Sequence, residues 1–366
     1  MSTICLCMIV KNESKIIHRC LDSVFRACNL CYISICDTGS TDNTIDLIYE
    51  WGKRNGIETT VHQEPFVNFA HNRTISARFA KKTYPQADYL AFIDADMLLM
   101  ANSKFMGNLT ATSYEILVKS PDLYYGRTTF VDNNLDWKSI GVTHEYWGLV
   151  TANVINNKQR LLEVWIVDVG DGGCKADKFQ RDIRLLTQGL IDEPVNERYM
   201  FYLAQSYWCI GQYEEAIKWY TKRVEAKGWD EEQWFAAYKI SRCYFQLQKF
   251  PKAIDMGLKA FAMRPTRIEP LYYIIKHYRE TKYHKLAYQF CFLAPLQSPP
   301  NDILFVEQDK YSYLIHYELS IVGFYADING KRVGKEACYK ILYSKEAPEW
   351  MKEMTRKNLE WYLDKK

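Results

Sequence analysis

The chain lacks any long apolar segment. No run of apolar residues approaches the ~20 that a membrane-spanning helix needs. Lys11, Asn12 and Glu13 interrupt the apolar run that opens the chain. The sequence therefore predicts neither a transmembrane segment nor a secretory signal peptide, and we expect a soluble, cytoplasmic protein.

A large excess of charge of one sign is also missing. The formal net charge is +3 over 366 residues, so composition argues against a nucleic-acid-binding protein. The 11 cysteines have no regular spacing, and Cys28 and Cys31 have no second pair at zinc-site distance. This usage is typical of a reduced intracellular protein, and the length suggests two or three domains.

The first half alternates strand-like and helix-like segments. Apolar runs predict strands at 4–10, 32–36, 57–62 and 89–93, and helical spacing predicts helices near 13–27, 42–55 and 69–82. Ser40 or Thr41 is expected to cap the second helix. The alternation predicts an α/β domain with a mainly parallel, doubly wound sheet.

Polar clusters follow three of these strands at the point where each strand ends. They are Lys11–Glu13, Asp37–Asp42, and the pair Asp94 and Asp96. Ligands of open α/β sheets bind outside the carboxyl ends of the strands. Two carboxylates that face anionic phosphates require a divalent cation such as Mg²⁺ or Mn²⁺. Each cluster alone also fits a turn or a helix start, but three on one sheet edge favour a binding site.

These segments resemble the signatures of family 2 glycosyltransferases, which have the GT-A (Rossmann-like) fold. The resemblance rests on VKNE at 10–13, DTGSTDNT at 37–44 and DAD at 94–96. FAHNR at 69–73 is similar to the family segment F-A-x-x-R-N, but here Asn72 precedes Arg73. The resemblance covers about the first 190 residues. It implies transfer of a sugar from a nucleotide-sugar donor, with UDP as the family-based choice of nucleotide.

The resemblance also implies roles for individual residues around the donor. Val10 and Glu13 would line the nucleoside pocket. Asp37 would accept hydrogen bonds from the base or the ribose, as an ionised carboxylate can. Asn72 and Arg73 would hold the diphosphate or brace the D-x-D loop.

Three carboxylates are expected near the metal ion. Asp96 would be the direct ligand, and Asp94 would reach the ribose or a metal-bound water. Asp168 is a competent oxygen ligand at a place where related proteins often have a His. Mn²⁺ or Mg²⁺ would act as a Lewis acid that neutralises charge on the departing nucleoside diphosphate.

An inverting transferase also needs a general base. Segment 137–147 is the richest candidate, with Glu145 as the base and His144 as a contact to the donor, the metal or the base. The alternative is an aromatic loop packed over the sheet, with Glu145 merely solvated. Lys178 and Arg181 lie three apart on a predicted helix, where they fit phosphate binding or ordinary salt bridges. The glycines of 170–173 suit a mobile loop that closes over the donor.

From Asn196 onward the pattern is helical and repetitive. Ala216, Ala253 and Ala287 are 37 and 34 residues apart, close to the roughly 34-residue period of the tetratricopeptide repeat. We count two clear repeats and a degraded third. Stacked repeats form a concave surface that suits peptide or protein binding. A helical brace or a homodimerisation module explains the pattern equally well.

The sequence thus predicts a GT-A domain at 1–193, tetratricopeptide-like helical repeats at 194–300 and a C-terminal helical extension at 301–366. The acceptor would be a protein, a peptide or a glycan. One alternative is a nucleotidyltransferase, which should have a Gly-rich phosphate loop near the first strand, yet 4–12 contains no Gly. The other is a non-catalytic nucleotide-sugar-binding scaffold that uses the repeats for protein interaction. Intact Asp37, Asp94 and Asp96 argue against it.

Overall fold

A computed structural model describes residues 1–119, 124–172, 177–294, 299–302 and 304–363. The chain divides into two compact units, Met1–Asp192 and Glu193–Lys366. Gly173, which the sequence assigned to a mobile loop, lies outside the described residues.

The first unit is an α/β structure. Its strands are β1 (Ile4–Val10), β2 (Leu30–Asp37), β3 (Glu58–Gln63), β4 (Tyr89–Phe92), β5 (Met97–Ala101), β6 (Ser113–Lys119), β7 (Tyr124–Asp132), β8 (Trp137–Ile140), β9 (Tyr146–Leu149) and β10 (Lys158–Asp168). Its helices are α1 (Ile17–Ala27), α2 (Thr44–Asn55), α3 (Phe69–Thr83) and α4 (Lys178–Asp192).

Eight strands of the described residues form one sheet in the order β3-β2-β1-β4-β7-β6-β10-β5. β1 pairs in parallel with β2 and β4, and β2 pairs in parallel with β3. The carboxyl ends of β1, β2 and β4 therefore meet at one edge, as the sequence predicts. Beyond β4 the sheet contains antiparallel pairs. β7 lies between β4 and β6 and is antiparallel to both, and β10 is antiparallel to β5.

The central strand β1 is buried on both faces. Leu6 and Met8 face a core shared with α1 and α2, whereas Cys5 and Cys7 face a core shared with α3. Helices thus cover both faces, which explains why β1 is a continuous apolar run rather than an alternating one.

The start of α2 differs from the prediction. Asn43 precedes the helix and makes no side-chain capping hydrogen bond, so neither Ser40 nor Thr41 is the cap. Ser40 Oγ instead accepts a hydrogen bond from the Asn12 backbone N–H at 2.9 Å. Asp42 Oδ1 accepts from the backbone N–H and the hydroxyl of Thr44 at 3.1 and 2.5 Å. These side chains are used to fix the loops at the sheet edge.

The second unit is all helical in its described residues. Its helices are α5 (Glu197–Cys209), α6 (Tyr213–Glu225), α7 (Asp230–Gln246), α8 (Phe250–Met263), α9 (Glu269–Glu280), α10 (His284–Leu293), α11 (Ile315–Val322), α12 (Ile328–Tyr343) and α13 (Glu349–Glu360). A π-helical turn at Lys310–Leu314 precedes α11, and a 3-10 turn at Gly323–Tyr325 follows it.

The same type of turn occurs three times, once between the two helices of each repeat. Gly211, Gln248 and Lys282 have φ angles of 75°, 56° and 66°, and they join α5 to α6, α7 to α8 and α9 to α10. In each turn the following residue donates its backbone N–H to a carbonyl five positions earlier, at 2.8 to 3.0 Å. Ala216, Ala253 and Ala287 are fully buried, because a small side chain lets the paired helices approach. The tetratricopeptide-like arrangement is confirmed, and the third turn is as regular as the first two.

Candidate functional site

The loops after β1 and β2 are tied together at the carboxyl edge of the sheet. Asn12 adopts a left-handed conformation with a φ of 57°. Its Oδ1 accepts a hydrogen bond from the Thr41 backbone N–H at 2.7 Å. The Glu13 backbone N–H donates to Thr44 Oγ1 at 2.8 Å, and the Thr38 backbone N–H donates to the Val10 carbonyl at 2.9 Å. Val10 and Glu13 thus lie together, where the sequence predicts the nucleoside pocket.

Asp37 is the last residue of β2, and its side chain is fully buried. Its carboxylate accepts hydrogen bonds from the backbone N–H groups of Gly39 and Ser40, at 3.1 to 3.2 Å. These contacts hold the loop in place and leave the expected contact with the base or ribose as a prediction.

Asn72 is fully buried in the first turns of α3. Its Oδ1 accepts a hydrogen bond from the Val67 backbone N–H at 2.9 Å, and its Nδ2 donates to the Pro65 carbonyl at 3.0 Å. The side chain therefore fixes the loop between β3 and α3, a role that the sequence did not assign to it.

Arg73 joins two segments that the sequence singled out separately. Its Nη1 lies 2.8 Å from Asp94 Oδ1, and its Nε lies 2.5 Å from Glu145 Oε1. Arg127 on β7 holds the other oxygen of Asp94, with Nη1 to Oδ2 at 3.0 Å. Both oxygens of Asp94 are therefore engaged by arginines, and the choice between bracing the D-x-D loop and holding the diphosphate stays a prediction for Arg73.

Electrostatics favour the charged forms in this cluster. Burial raises the pKa of Asp94, but Arg73 and Arg127 outweigh that effect and hold it well below its usual range. Burial alone would lower the pKa of Arg73. The negative charges of Asp94 and Glu145 outweigh this effect, and the pKa of Arg73 is raised above its usual value. Since Arg73 is 9% exposed, the ion pairs are only weakly screened by solvent.

Asp96 lies where β5 and β10 meet. Its carbonyl accepts a hydrogen bond from the Val169 backbone N–H at 3.1 Å, and the neighbouring Met97 pairs with Asp168. A Cβ added at Gly172 would lie 3.1 Å from Asp96 Oδ2. The chain thus brings Asp168 beside Asp96, and the glycine at 172 lets the backbone pass close to the Asp96 carboxylate.

An ion pair fixes the segment that passes Asp96. Arg19 of α1 binds both oxygens of Asp171, at 2.6 and 2.8 Å. This two-point contact orients the residue that directly precedes Gly172. Asp171 is therefore engaged in holding the segment in place.

The residues around Asp96 fit a hard divalent cation. Mg²⁺ and Mn²⁺ bind one or two carboxylates and complete their coordination with waters and substrate phosphates. Asp96 and Asp168 would supply such oxygens. In the described ranges no group of three or more His, Cys, Asp or Glu side chains could hold a metal ion. Asp94 is held instead by its two arginines.

The segment that contains Glu145 makes both aromatic and polar contacts with the rest of the domain. Trp147 stacks on Phe92 of β4 with ring centroids 3.7 Å apart, as the aromatic-loop interpretation expects. Gly141 has a φ of 111°, and an added Cβ would lie 3.3 Å from the Glu145 Cα. The glycine therefore permits the turn that directs Glu145 to Arg73, and Glu145 is not a solvated side chain.

His144 points to a different partner. Its Nε2 lies 3.9 Å from Oδ2 of Asp182, which is almost fully buried on α4. Burial raises the pKa of Asp182, although Arg181, Lys178 and a hydrogen bond from Thr143 oppose that shift. His144 therefore links the Glu145 segment to α4.

Lys178 and Arg181 both lie in the first turn of α4. Lys178 is exposed, with Nζ 5.7 Å from the ring centroid of Phe179. Arg181 lies over the ring of Phe69 at 5.0 Å and 3.8 Å from Asp182 Oδ1. Arg181 thus has the ordinary salt bridge that the sequence left open.

Four residues of this region were missed by sequence reasoning. Arg127, Asp182, Arg19 and Asp171 all come from elements far apart in the chain, and their contacts span 33 to 152 residues. For Asp182 a signal existed, because a carboxylate amid the apolar positions of an amphipathic helix requires a partner. Arg127 has no comparable local signal.

The fold and the loop arrangement define the class of protein. A sheet with acidic loops at the carboxyl ends of β1, β2 and β4, completed by antiparallel strands, is a GT-A domain. Among the helices of the described residues, none is both long enough and apolar enough to cross a bilayer.

Comparison with known proteins finds similarity to glycosyltransferases. The model of the family "Glycosyl transferase family 2" matches residues 5–147, so this part of the chain is similar to that family. It is 26% identical over 265 residues to the SPbeta prophage-derived glycosyltransferase SunS of Bacillus subtilis (strain 168). That match covers 68% of this chain but only 59% of the relative.

Two solved structures give partial matches with low TM-scores. The mannosyltransferase PcManGT from Pyrobaculum calidifontis, in complex with GDP-Man and Mn²⁺, matches 71% of this chain and 75% of its own, at 13% identity and a TM-score of 0.36. MamA matches 50% of this chain and 86% of its own, at 18% identity and a TM-score of 0.30. Neither likeness bears on substrate.

Proposed function

We propose that the chain is a metal-dependent, inverting glycosyltransferase that moves a sugar from a UDP-sugar to a protein, peptide or glycan acceptor. The observation that supports this most is the Arg73 bridge, with 2.8 Å to Asp94 and 2.5 Å to Glu145. It fixes the D-x-D loop against the segment with the candidate base. A donor and an acceptor group have to meet between two such segments.

Each residue has a role in this proposal. Val10, Glu13 and Asp37 bind the nucleoside. Asp96 and Asp168 would hold Mg²⁺ or Mn²⁺, which would supply positive charge to the leaving diphosphate.

Lys178 and Arg181 add positive charge at the start of α4, where an anion is also favoured by the helix N-terminus. Asp94 is a positioning residue in this proposal, held by Arg73 and Arg127. Asp94 thereby fixes the conformation of the loop that ends in Asp96. His144 holds the Glu145 segment to α4 through Asp182.

The chemical step needs a base and a fixed geometry. Glu145 accepts the proton of the acceptor hydroxyl or thiol, and that oxygen or sulfur attacks the anomeric carbon. The bond from the anomeric carbon to the diphosphate breaks, and the nucleoside diphosphate leaves with the electron pair. Attack from the opposite face inverts the anomeric centre. Arg73 holds the Glu145 carboxylate in one orientation for this transfer.

The location and the partners belong to the same proposal. We expect the enzyme to act in the cytoplasm, where irregularly spaced thiols stay reduced. The helical unit binds the acceptor rather than joining two copies of the chain. Acceptor binding is favoured because stacked helix pairs present a concave surface.

A donor screen tests the proposal. Purified protein is incubated with individual nucleotide sugars and Mn²⁺ or Mg²⁺, and release of the nucleoside diphosphate is measured. We expect release from one UDP-sugar that stops with a chelator and falls at least about a hundredfold in Asp96→Asn. Asp136→Asn is the matched control, because this carboxylate is 71% exposed and pairs with Lys81. No release and no binding of any nucleotide sugar would favour the scaffold.

A further inference from the structure

Two cations on α7 of the helical unit are bound by aromatic rings. Lys239 Nζ lies 3.7 Å from the ring centroid of Trp208 on α5. Arg242, one turn later, has its Cζ 3.2 Å from the ring centroid of Tyr273 on α9. Since α5, α7 and α9 are the first helices of three successive pairs, the cluster spans the stacked repeats. The four side chains are half-buried and remain reachable from solvent.

Neither cation has a carboxylate within ion-pair distance among the described residues. In contrast, Arg223, Arg264 and Arg279 of the same unit pair with Glu232, Asp302 and Glu318 respectively. The Arg242 Nε is buried and has no hydrogen-bond acceptor in the described part of the chain. Burial, with the adjacent Arg242, lowers the pKa of Lys239 to about 8. Two partly desolvated cations thus lie side by side, and neither forms an ion pair with a carboxylate of the described residues.

The carboxylate of Glu307, whose charge acts on both Lys239 and Arg242, already has partners. Glu307 accepts a hydrogen bond from the Tyr238 hydroxyl at 2.8 Å and pairs with Lys310 at 2.9 Å. Lys310 also pairs with Asp309 at 3.0 Å. The cluster therefore contains three cations and two carboxylates, which leaves one positive charge. A single carboxylate balances that charge, whereas a phosphate dianion would meet the repulsion of Glu307.

We propose that this cluster binds an acidic side chain of an extended polypeptide. The carboxylate docks between Lys239 and Arg242, and the apolar part of the peptide packs on the rings of Trp208 and Tyr273. Arg presents a planar donor group that suits carboxylate, and ring faces accept methylene groups without a polar cost. Naming this peptide as the sugar acceptor rests on the proposed function, but the binding itself does not.

A binding measurement on the full chain tests the proposal. The probe is a short fluorescein-labelled peptide rich in Glu, Gly and Tyr, and the matched peptide has Gln in place of each Glu. Fluorescence anisotropy should show binding of the Glu peptide that is at least about tenfold tighter, because a charged hydrogen-bonded pair contributes about 1.5–3 kcal/mol. Lys239→Gln and Arg242→Gln should each remove about that tenfold preference. Lys259→Gln, at a lysine 62% exposed on α8, should keep it.

The wild-type protein also provides a test that needs no variant. Raising the salt concentration should weaken the binding of the Glu peptide and leave the affinity for the Gln peptide unchanged. Equal binding of the two peptides by the wild type would overturn the proposal. So would tighter binding of a single-stranded RNA of the same length, which would indicate a phosphate site. Donor hydrolysis without acceptor should be the same in Lys239→Gln as in the wild type, so failure of this proposal is distinguishable from failure of the transferase proposal.

Discussion

Arg73 bridges Asp94 and Glu145, at 2.8 Å and 2.5 Å. The two carboxylates lie 51 positions apart in the sequence, and without the guanidinium they would repel each other in a partly buried site. Arg73→Met should therefore lower the free energy of unfolding by about 3–5 kcal/mol, the usual effect of breaking a buried ion pair. Urea denaturation measures this. Arg78→Met, at an exposed position on the same helix, should change it by less than about 0.5 kcal/mol. Equal effects of the two changes would contradict the bridge.

The two aspartates of the D-x-D loop should behave differently. Asp94→Asn removes the charge that Arg73 and Arg127 share, and it should destabilise the fold by about 3 kcal/mol. Asp96→Asn should cost less than about 1 kcal/mol but abolish metal-dependent release of UDP. Urea denaturation and donor hydrolysis, measured on both variants, separate the two roles. Similar stability losses in both would show that Asp94 is not the brace.

Gly172 lies close against the Asp96 carboxylate. Gly172→Ala places a methyl carbon 3.1 Å from Asp96 Oδ2, where we expect phosphate oxygens and waters to complete the coordination of the ion. Its apparent affinity for Mn²⁺, titrated through donor hydrolysis, should fall about tenfold, because groups around a metal ligand tune the ion to that extent. Val169→Ala, on the same segment and 40% exposed, should keep the wild-type affinity. An unchanged affinity in Gly172→Ala would place the ion elsewhere.

His316 should make the stability of the helical unit depend on pH. Burial, with a smaller effect of Lys340, lowers its pKa from 6.5 to about 4. Between these values the unfolded chain binds the proton and the folded chain does not. The resulting stabilisation is complete above the unfolded pKa and is lost as the pH falls towards 4, by at most about 3 kcal/mol. Denaturation of the wild type and His316→Gln at pH 7 and pH 5 measures the difference. Identical losses of stability between pH 7 and pH 5 in both proteins would show that His316 does not cause the pH dependence.

Much of the sheet and its edge could be predicted because the signals are local. The runs at 4–10 and 89–93 are apolar throughout, since both faces of those strands are covered. The polar residues that follow them had to meet once the strands were parallel. The left-handed turns at Gln248 and Lys282 were harder to predict. A left-handed conformation usually selects Gly, and neither Gln nor Lys indicates it.

The contacts that organise the site could not be predicted in the same way. Arg127 lies on a strand beyond the parallel part of the sheet, and its partner Asp94 is 33 residues away. Nothing in the residues around Arg127 indicates which strand will lie beside it. Pairings of this kind depend on the packing of the whole unit, whereas capping and strand ends depend on a few neighbours.

The most direct test is whether Asp96 holds a divalent ion together with a nucleoside diphosphate. The electron paramagnetic resonance signal of free Mn²⁺ is recorded with UDP present, as wild type, Asp96→Asn or the Asp136→Asn control is added. The account predicts that wild type and Asp136→Asn deplete the free Mn²⁺ signal well beyond UDP alone, and that Asp96→Asn does not. Equal depletion by all three proteins, or by none, would contradict a metal site at Asp96.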